Sequence, residues 1–193
     1  MAITTLDPRS TRAATATQWS RAIRPVSLEG QIVGLVCNGV GYCEVMFDRL
    51  GEVLTERYGV AGVVKVVKPS VAVPPEPDQW LRVTDRATVA VTGFGGCGSC
   101  STRSLRDALE LEAIGIPAVL LVHTALIPAV NALNKFLGGG DQAMVRFGYP
   151  HDPTAHWTKE ESDGIAEMIA EEVRDQLVRV PAMAGARLEV AAS

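Results

Sequence analysis

The chain has 193 residues, of which 47% are hydrophobic, 21% charged and only 5% aromatic, with a formal net charge of −4 at pH 7. That length suits one domain with a sizeable aliphatic core, and the composition excludes a disordered chain or an aromatic-rich binding module. The acidic balance lacks the basic face a nucleic-acid partner needs, so neither DNA nor RNA is expected.

No window approaches the ~20 apolar residues of a membrane span, and the N-terminus lacks the compact apolar segment of a secretory signal. A cytoplasmic protein without a membrane partner is expected. In such a setting the four cysteines point to reactive thiols, a metal or core packing rather than a structural disulfide framework.

Residues 1–28 are rich in Thr, Ser, Arg and Ala, carry Pro8 and Pro25, and show no sustained apolar period. This reads as an N-terminal arm, either loose or anchored on a neighbouring surface through Trp19 and Ile23. A single α/β domain is expected over residues 29–180, followed by a C-terminal tail over 181–193.

Within the domain, residues 31–37 (QIVGLVC) read as a buried strand, followed by a glycine turn and an amphipathic helix over about 43–58. Residues 62–67 (GVVKVV) form the second strand. The stretch 69–77 (PSVAVPPEP) is too proline-rich for a helix or a central strand, and a short helix over 80–86 follows it. A third strand over 87–91 runs into the cysteine turn. The next helix, over about 102–113, carries Leu105, Ala108, Leu109 and Leu111 on its apolar side, with Arg103, Arg106, Asp107, Glu110 and Glu112 near solvent.

Gly115-Ile116-Pro117 ends that helix and opens a fourth strand over 118–122. A helix over about 126–137 stops at Gly138-Gly139-Gly140. A short fifth strand covers 143–147, and the last helix starts after Thr158, whose hydroxyl makes a capping box with Glu161.

Five strands alternating with helices predict a mainly parallel five-stranded sheet covered on both faces, a Rossmann-like or flavodoxin-like three-layer sandwich. The simplest order is 2-1-3-4-5, with its switch point between strands 1 and 3. The loops after those strands, 38–42 and 93–100, then face each other across the ligand crevice. Those after strands 4 and 5 bring His123, Thr124, Tyr149 and His151 to the same rim.

The loop after strand 3, Gly93-Phe94-Gly95-Gly96-Cys97-Gly98-Ser99-Cys100, places two cysteines three positions apart before a helix. Such a pair can form a disulfide, and the helix start favours thiolate over thiol. The glycines permit close backbone approach, while the hydroxyls of Ser99, Ser101 and Thr102, the exposed amides and Arg103 can receive an anion. Asn38, Gly39, Gly96 and Gly98 complete the expected substrate-binding set. Lys65 and Lys68 are further anion candidates. Cys37, at the end of an apolar strand, reads as a buried inert thiol. Gly93, Gly95 and Gly98 satisfy the G-x-G-x-x-G spacing, but no acidic residue ends the next strand to hold a ribose, so no nicotinamide or flavin cofactor is expected.

The run Gly96-Cys97-Gly98-Ser99-Cys100, with its flanking strand and a helix ending in Gly115-Ile116-Pro117, resembles the UGSC family, named for a selenocysteine-Gly-Ser-Cys motif. The similarity extends from about Ile32 to Leu177 and includes Asn38-Gly39 and Lys68-Pro69-Ser70. Cys97 stands at the selenocysteine position. The resemblance implies a redox or nucleophilic role for that residue and supplies no substrate.

Three chemistries remain open. In the leading one, a thiol-dependent oxidoreductase, Cys97 attacks a small oxidised or electrophilic molecule, Cys100 resolves the adduct, or the two exchange these roles, and an external thiol reduces the pair. The second is a zinc or iron site held by Cys97 and Cys100 with Cys43, His123 or His151. The third is racemase-like covalent or acid-base chemistry using Cys97 and Cys43. The chain is expected to work as an oligomer, with copies of itself or with a related subunit.

Overall fold

The structure is a computed structural model and describes Trp19, residues 21–148 and residues 157–178. Its elements run β1 (Ile32–Cys37), α1 (Cys43–Tyr58), β2 (Gly62–Val67), α2 (Pro77–Thr84), β3 (Val89–Gly95), α3 (Gly98–Ala113), β4 (Ala118–His123), α4 (Ile127–Leu137), β5 (Met144–Phe147) and α5 (Lys159–Leu177). A single 3-10 turn, Thr124–Leu126, precedes α4. The five strands form one sheet in the order β2-β1-β3-β4-β5, with every neighbouring pair parallel. This is the flavodoxin-like order expected from the alternation of elements.

Strand parity divides the interior. Val33, Leu35 and Cys37 of β1, with Val89 and Val91 of β3, pack against α1 and α5 through Met46, Phe47, Leu50, Ile169 and Val173. The opposite face of β1 and β3, through Val36 and Ala90, meets Val83 of α2 and Ala108 and Leu111 of α3. Leu120 and Val122 of β4 meet Leu105 and Leu109 of α3 and Val130 of α4. With both faces of the sheet covered, the inner strands are mostly apolar, as a buried parallel sheet requires; the buried Thr92 of β3 donates its hydroxyl to Ser104 O at 2.9 Å, and His123 ends β4.

The helix ends follow local chemistry. α1 and α4 stop at Gly59 and Gly138, both in the left-handed region, at φ 68° and 74°. At the start of α5 the expected capping box is present: Glu161 N donates to Thr158 Oγ1 at 3.1 Å and Thr158 N to Glu161 Oε2 at 2.8 Å. α2 begins three residues earlier than the proline-rich stretch led us to expect. Pro77 occupies its first turn, where a missing N–H costs nothing, and Glu76 with Gln79 caps it.

The segment before β1 lies against the domain. The Trp19 indole donates to Leu137 O at 2.8 Å. Arg24 forms a buried ion pair with Glu112 of α3, Nη2 to Oε1 at 2.6 Å. Glu112, expected near solvent, is thus buried, and its Oε1 also accepts from Ala118 N at 2.8 Å. Among the described residues no helix is long and apolar enough to cross a membrane. The C-terminal tail, Tyr149 and His151 lie outside the described residues.

Candidate active site

The cysteine motif is a strand-to-helix junction with almost no loop. β3 continues through Gly93-Phe94-Gly95, four residues beyond its expected end, and α3 begins at Gly98, four before its expected start. Phe94 holds the strand in place: its ring stacks on Phe147 at 4.9 Å between centroids and lies 5.4 Å from the Trp157 ring. Gly95 permits the turn because a Cβ there would come within 2.9 Å of both Ser101 Oγ and Val122 Cγ2.

Cys97 is the N-cap of α3, and its Sγ accepts from the Cys100 amide at 3.2 Å. Cys97 and Cys100 are joined as a disulfide, with Cα atoms 5.3 Å apart. The two sulfurs differ in access: Cys97 is half-buried, whereas Cys100 is fully buried in the first turn. Around them Ser101 Oγ donates to Cys97 O, Thr102 Oγ1 donates to Ser99 O at 3.0 Å, and Ser99 Oγ lies 3.6 Å from Cys97 Sγ. Gly98 and Ser99 are exposed.

Beside this turn, Ser99, Thr102, Arg103 and Arg106 of α3 face Leu133, Phe136 and Leu137 of α4 and Ala72 across a cavity of about 360 Å3. One wall offers hydroxyl and guanidinium donors, the other an apolar surface. Arg103 is anchored within it by Asp107, with Nε to Oδ1 at 2.9 Å, and by Glu110 at 3.0 Å. Of the expected substrate-binding set, Ser99, Thr102 and Arg103 come together here. Arg106, Phe136 and Ala72 were not singled out in the sequence, since their convergence depends on how α4 packs on α3.

The two crevice loops do meet, through Asn38. This residue is 1% exposed, and its Nδ2 donates to Phe94 O at 2.6 Å, while its Oδ1 accepts from Val40 N at 3.2 Å. Gly39 beside it is exposed and Gly96 N donates to Phe94 O at 3.0 Å. His123 and Thr124 lie at the end of β4, where His123 Nδ1 accepts from Ala125 N at 3.1 Å. Neither lines the cavity next to Ser99.

Two lysines expected as anion partners are otherwise engaged. Lys65 pairs with Asp48 at 2.5 Å. Lys68 is buried, 2.7 Å from Asp107, and burial pushes its ammonium below the ordinary range despite that carboxylate. Asp107, expected near solvent, is also fully buried; a helical charge pattern could not reveal it, because its partner arrives from the end of β2.

A family model describing the UGSC family matches residues 4–179. This chain belongs to the UGSC family. The match spans the whole described fold. No curated protein matches the chain. Among solved structures it is similar to a diflavin flavoprotein A3 from Nostoc sp., at 14% identity over 77% of this chain and 94% of that one, with a TM-score of 0.38. It is also similar to a flavodoxin-like domain from Synechococcus sp., at 15% identity over 72% and 99%, with a TM-score of 0.34. A third is the FMN-dependent cysteine decarboxylase SpaF, at 14% identity over 75% and 98%, with a TM-score of 0.40. Likenesses of this size say nothing of what this UGSC chain binds.

The expected zinc or iron site is corrected by the geometry. Cys97 and Cys100 are bonded to each other. Cys43 lies in the core between the sheet and α1, whereas the other two begin α3 on the opposite face. Among the described residues no group of three or more His, Cys, Asp or Glu is gathered where it could hold a metal ion.

Proposed function

We propose that this UGSC protein is a dithiol enzyme in which Cys97 attacks and Cys100 resolves, acting on a small anionic molecule that carries a disulfide or comparable oxidised sulfur. The observation that carries this reading is the asymmetry of the pair: a half-buried cysteine at the helix N-cap beside a fully buried one in the first turn. The Cys100 amide, 3.2 Å from Cys97 Sγ, together with the helix start, favours the thiolate once the pair is reduced.

In the forward step the Cys97 thiolate forms a bond to one sulfur of the substrate disulfide, whose S–S bond breaks and whose other half leaves as thiolate. Cys100, losing its proton to solvent, then attacks Cys97 Sγ. The second half leaves as thiolate and the Cys97–Cys100 disulfide forms. An external thiol reductant returns the pair to the dithiol with the same two electrons. The cavity beside Ser99 supplies the recognition, with Arg103 and Arg106 toward the anionic group and Leu133 and Phe136 toward its carbon skeleton.

The test uses reduced protein and a chromogenic aromatic disulfide carrying carboxylates. Wild type should release about two aryl thiolates per chain, and Cys100→Ser about one, keeping the other aryl group as an adduct on Cys97. Cys97→Ser should lose the fast phase by at least about a hundredfold. A Cys97→Ser variant that reacts as fast as wild type would overturn the assignment.

A further inference from the structure

A second pair of thiols lies on the other side of the sheet. Cys37 ends β1 and Cys43 begins α1. Because Cys37 shares the parity of Val33 and Leu35, it points toward α1 rather than α3. The two Sγ atoms are 3.0 Å apart, closer than two non-bonded sulfurs in ordinary contact and about 1 Å beyond a disulfide bond. Both side chains are fully buried, and both sulfurs are unbonded thiols.

We propose that Cys37 and Cys43 form a second, peroxide-oxidisable dithiol, separate from the Cys97–Cys100 pair, whose disulfide staples the end of β1 to the start of α1 across the turn 38–42. Their proximity makes the closing step a small displacement instead of a rearrangement. Both residues are closed to solvent in the folded chain, so hydrogen peroxide reaches them only when the short turn 38–42 opens, and a bulky disulfide would need a far larger opening. Of residues 38–42, which lie between the pair in sequence, Gly39, Gly41 and Tyr42 are exposed, Val40 is half-buried and Asn38 is buried.

The environment also assigns the roles. The hydrogen bond from Cys37 lowers the Cys43 thiol below its ordinary value against the cost of burial, and the backbone of Gly39 and Val40 adds to this. Cys37 is pushed up, first by that same bond and then by burial. Cys43, at the first position of a 16-residue helix, is therefore the thiolate and Cys37 the proton carrier.

Cys43 thiolate attacks one peroxide oxygen; the S–O bond forms, the O–O bond breaks, and hydroxide leaves to take a proton from solvent. The product is a Cys43 sulfenic acid. Cys37 sulfur then attacks Cys43 Sγ, the S–S bond forms, and the hydroxyl departs with the Cys37 proton as water. In sum two thiols and one hydrogen peroxide give one disulfide and two waters.

Asn38 ties this pair to the motif. Its Oδ1 lies 3.7 Å from Cys43 Sγ and its Nδ2 holds Phe94 O at 2.6 Å. Forming the second disulfide draws the Cys43 sulfur toward Cys37 and changes its contact with Asn38, the residue that clasps the strand leading to Cys97.

The experiment is intact mass and thiol counting on full-length protein whose Cys97–Cys100 pair is already oxidised, before and after dilute hydrogen peroxide, with alkylation under denaturing conditions. About two alkylatable thiols before treatment and none after, with a loss of about 2 Da and a peptide crosslink between Cys37 and Cys43, is the expected result. The Cys97→Ser, Cys100→Ser double variant should give the same crosslink, so the outcome stands apart from whether Cys97 is the attacking thiol. In Cys37→Ser, Cys43 should instead be trapped by a sulfenic-acid reagent. Two thiols that stay alkylatable in the wild type, a sulfinic acid on Cys43 without a crosslink, or a crosslink from Cys43 to Cys97 would each overturn the proposal.

Discussion

Lys68 Nζ and Asp107 Oδ2 meet at 2.7 Å with neither side chain exposed to solvent. The contact joins the residue after β2 to the middle of α3, and Asp107 uses its other oxygen to hold Arg103, Nε to Oδ1 at 2.9 Å. One buried carboxylate thus supports two cations, one of them on the wall of the cavity beside Ser99.

Removing that carboxylate leaves Lys68 charged and unpaired in a dry site. Asp107→Asn should lower the unfolding free energy by about 3–5 kcal/mol, the usual cost of breaking one partner of a buried pair. A urea melt followed by circular dichroism measures this. Replacing both partners with apolar residues, Lys68→Met with Asp107→Leu, should recover part of the loss, since no uncompensated charge remains. A double variant as unstable as Asp107→Asn alone would mean that the Arg103 contact, not the Lys68 pair, is what Asp107 provides.

Burial holds the Lys68 ammonium below its ordinary 10.5 in the folded protein. Between the folded value and 10.5 the unfolded chain therefore binds more protons than the native one, and stability rises with pH across that window. The unfolding free energy of wild type relative to Lys68→Met should accordingly increase as pH is raised toward 10.5 and stay level at lower pH. A relative stability that falls over the same interval would mean that the Asp107 attraction outweighs burial.

The order of the sheet and most element positions were legible because they depend on local pattern. The apolar runs, the interruptions at Gly59, Gly115 and Gly138, and the Thr158-Glu161 capping box each act within a few residues. The junction around Cys97 was less so. Gly93-Phe94-Gly95 has the composition of a turn, yet it continues β3 because Phe94 is held by Phe147 and Trp157, from the end of the sheet and the entry to α5. The Lys68–Asp107 pair was hidden for the same reason: the partners are 39 positions apart, and only the fold removes both from water. Cys37 and Cys43 stand six positions apart and each was read alone, although strand parity and a helix start at Cys43 together put them side by side.

Gly95 controls the geometry of the motif from within β3. A methyl group at this position would sit 2.9 Å from Ser101 Oγ, the hydroxyl that donates to Cys97 O, and 2.9 Å from Val122 Cγ2. Gly95→Ala should cost about 1–3 kcal/mol, as overpacking of a filled interior does, and should loosen the first turn of α3. The reading is a lower thermal midpoint together with faster reduction of the Cys97–Cys100 disulfide by an external thiol. A variant with a wild-type midpoint and an unchanged reduction rate would mean that Ser101 and Val122 give way without disturbing the cap.

Arg106 is exposed on the same cavity wall as Ser99 and the more deeply held Arg103. Its contribution to an anionic molecule near Cys97 should be modest, because solvent and salt screen an exposed charge. The reduced protein should alkylate faster with iodoacetate than its intrinsic reactivity toward neutral iodoacetamide implies, and Arg106→Gln should lower the ratio of the two rates by about two- to fivefold, equivalent to ~0.4–1 kcal/mol. Raising ionic strength should lower the wild-type ratio toward that of the variant. Comparing the two reagents in one protein cancels changes in thiolate population at Cys97, so the ratio reads the field of the wall alone. An Arg106→Gln ratio equal to wild type at low salt would remove Arg106 from the anion-binding surface and leave that role to Arg103 and the helix start.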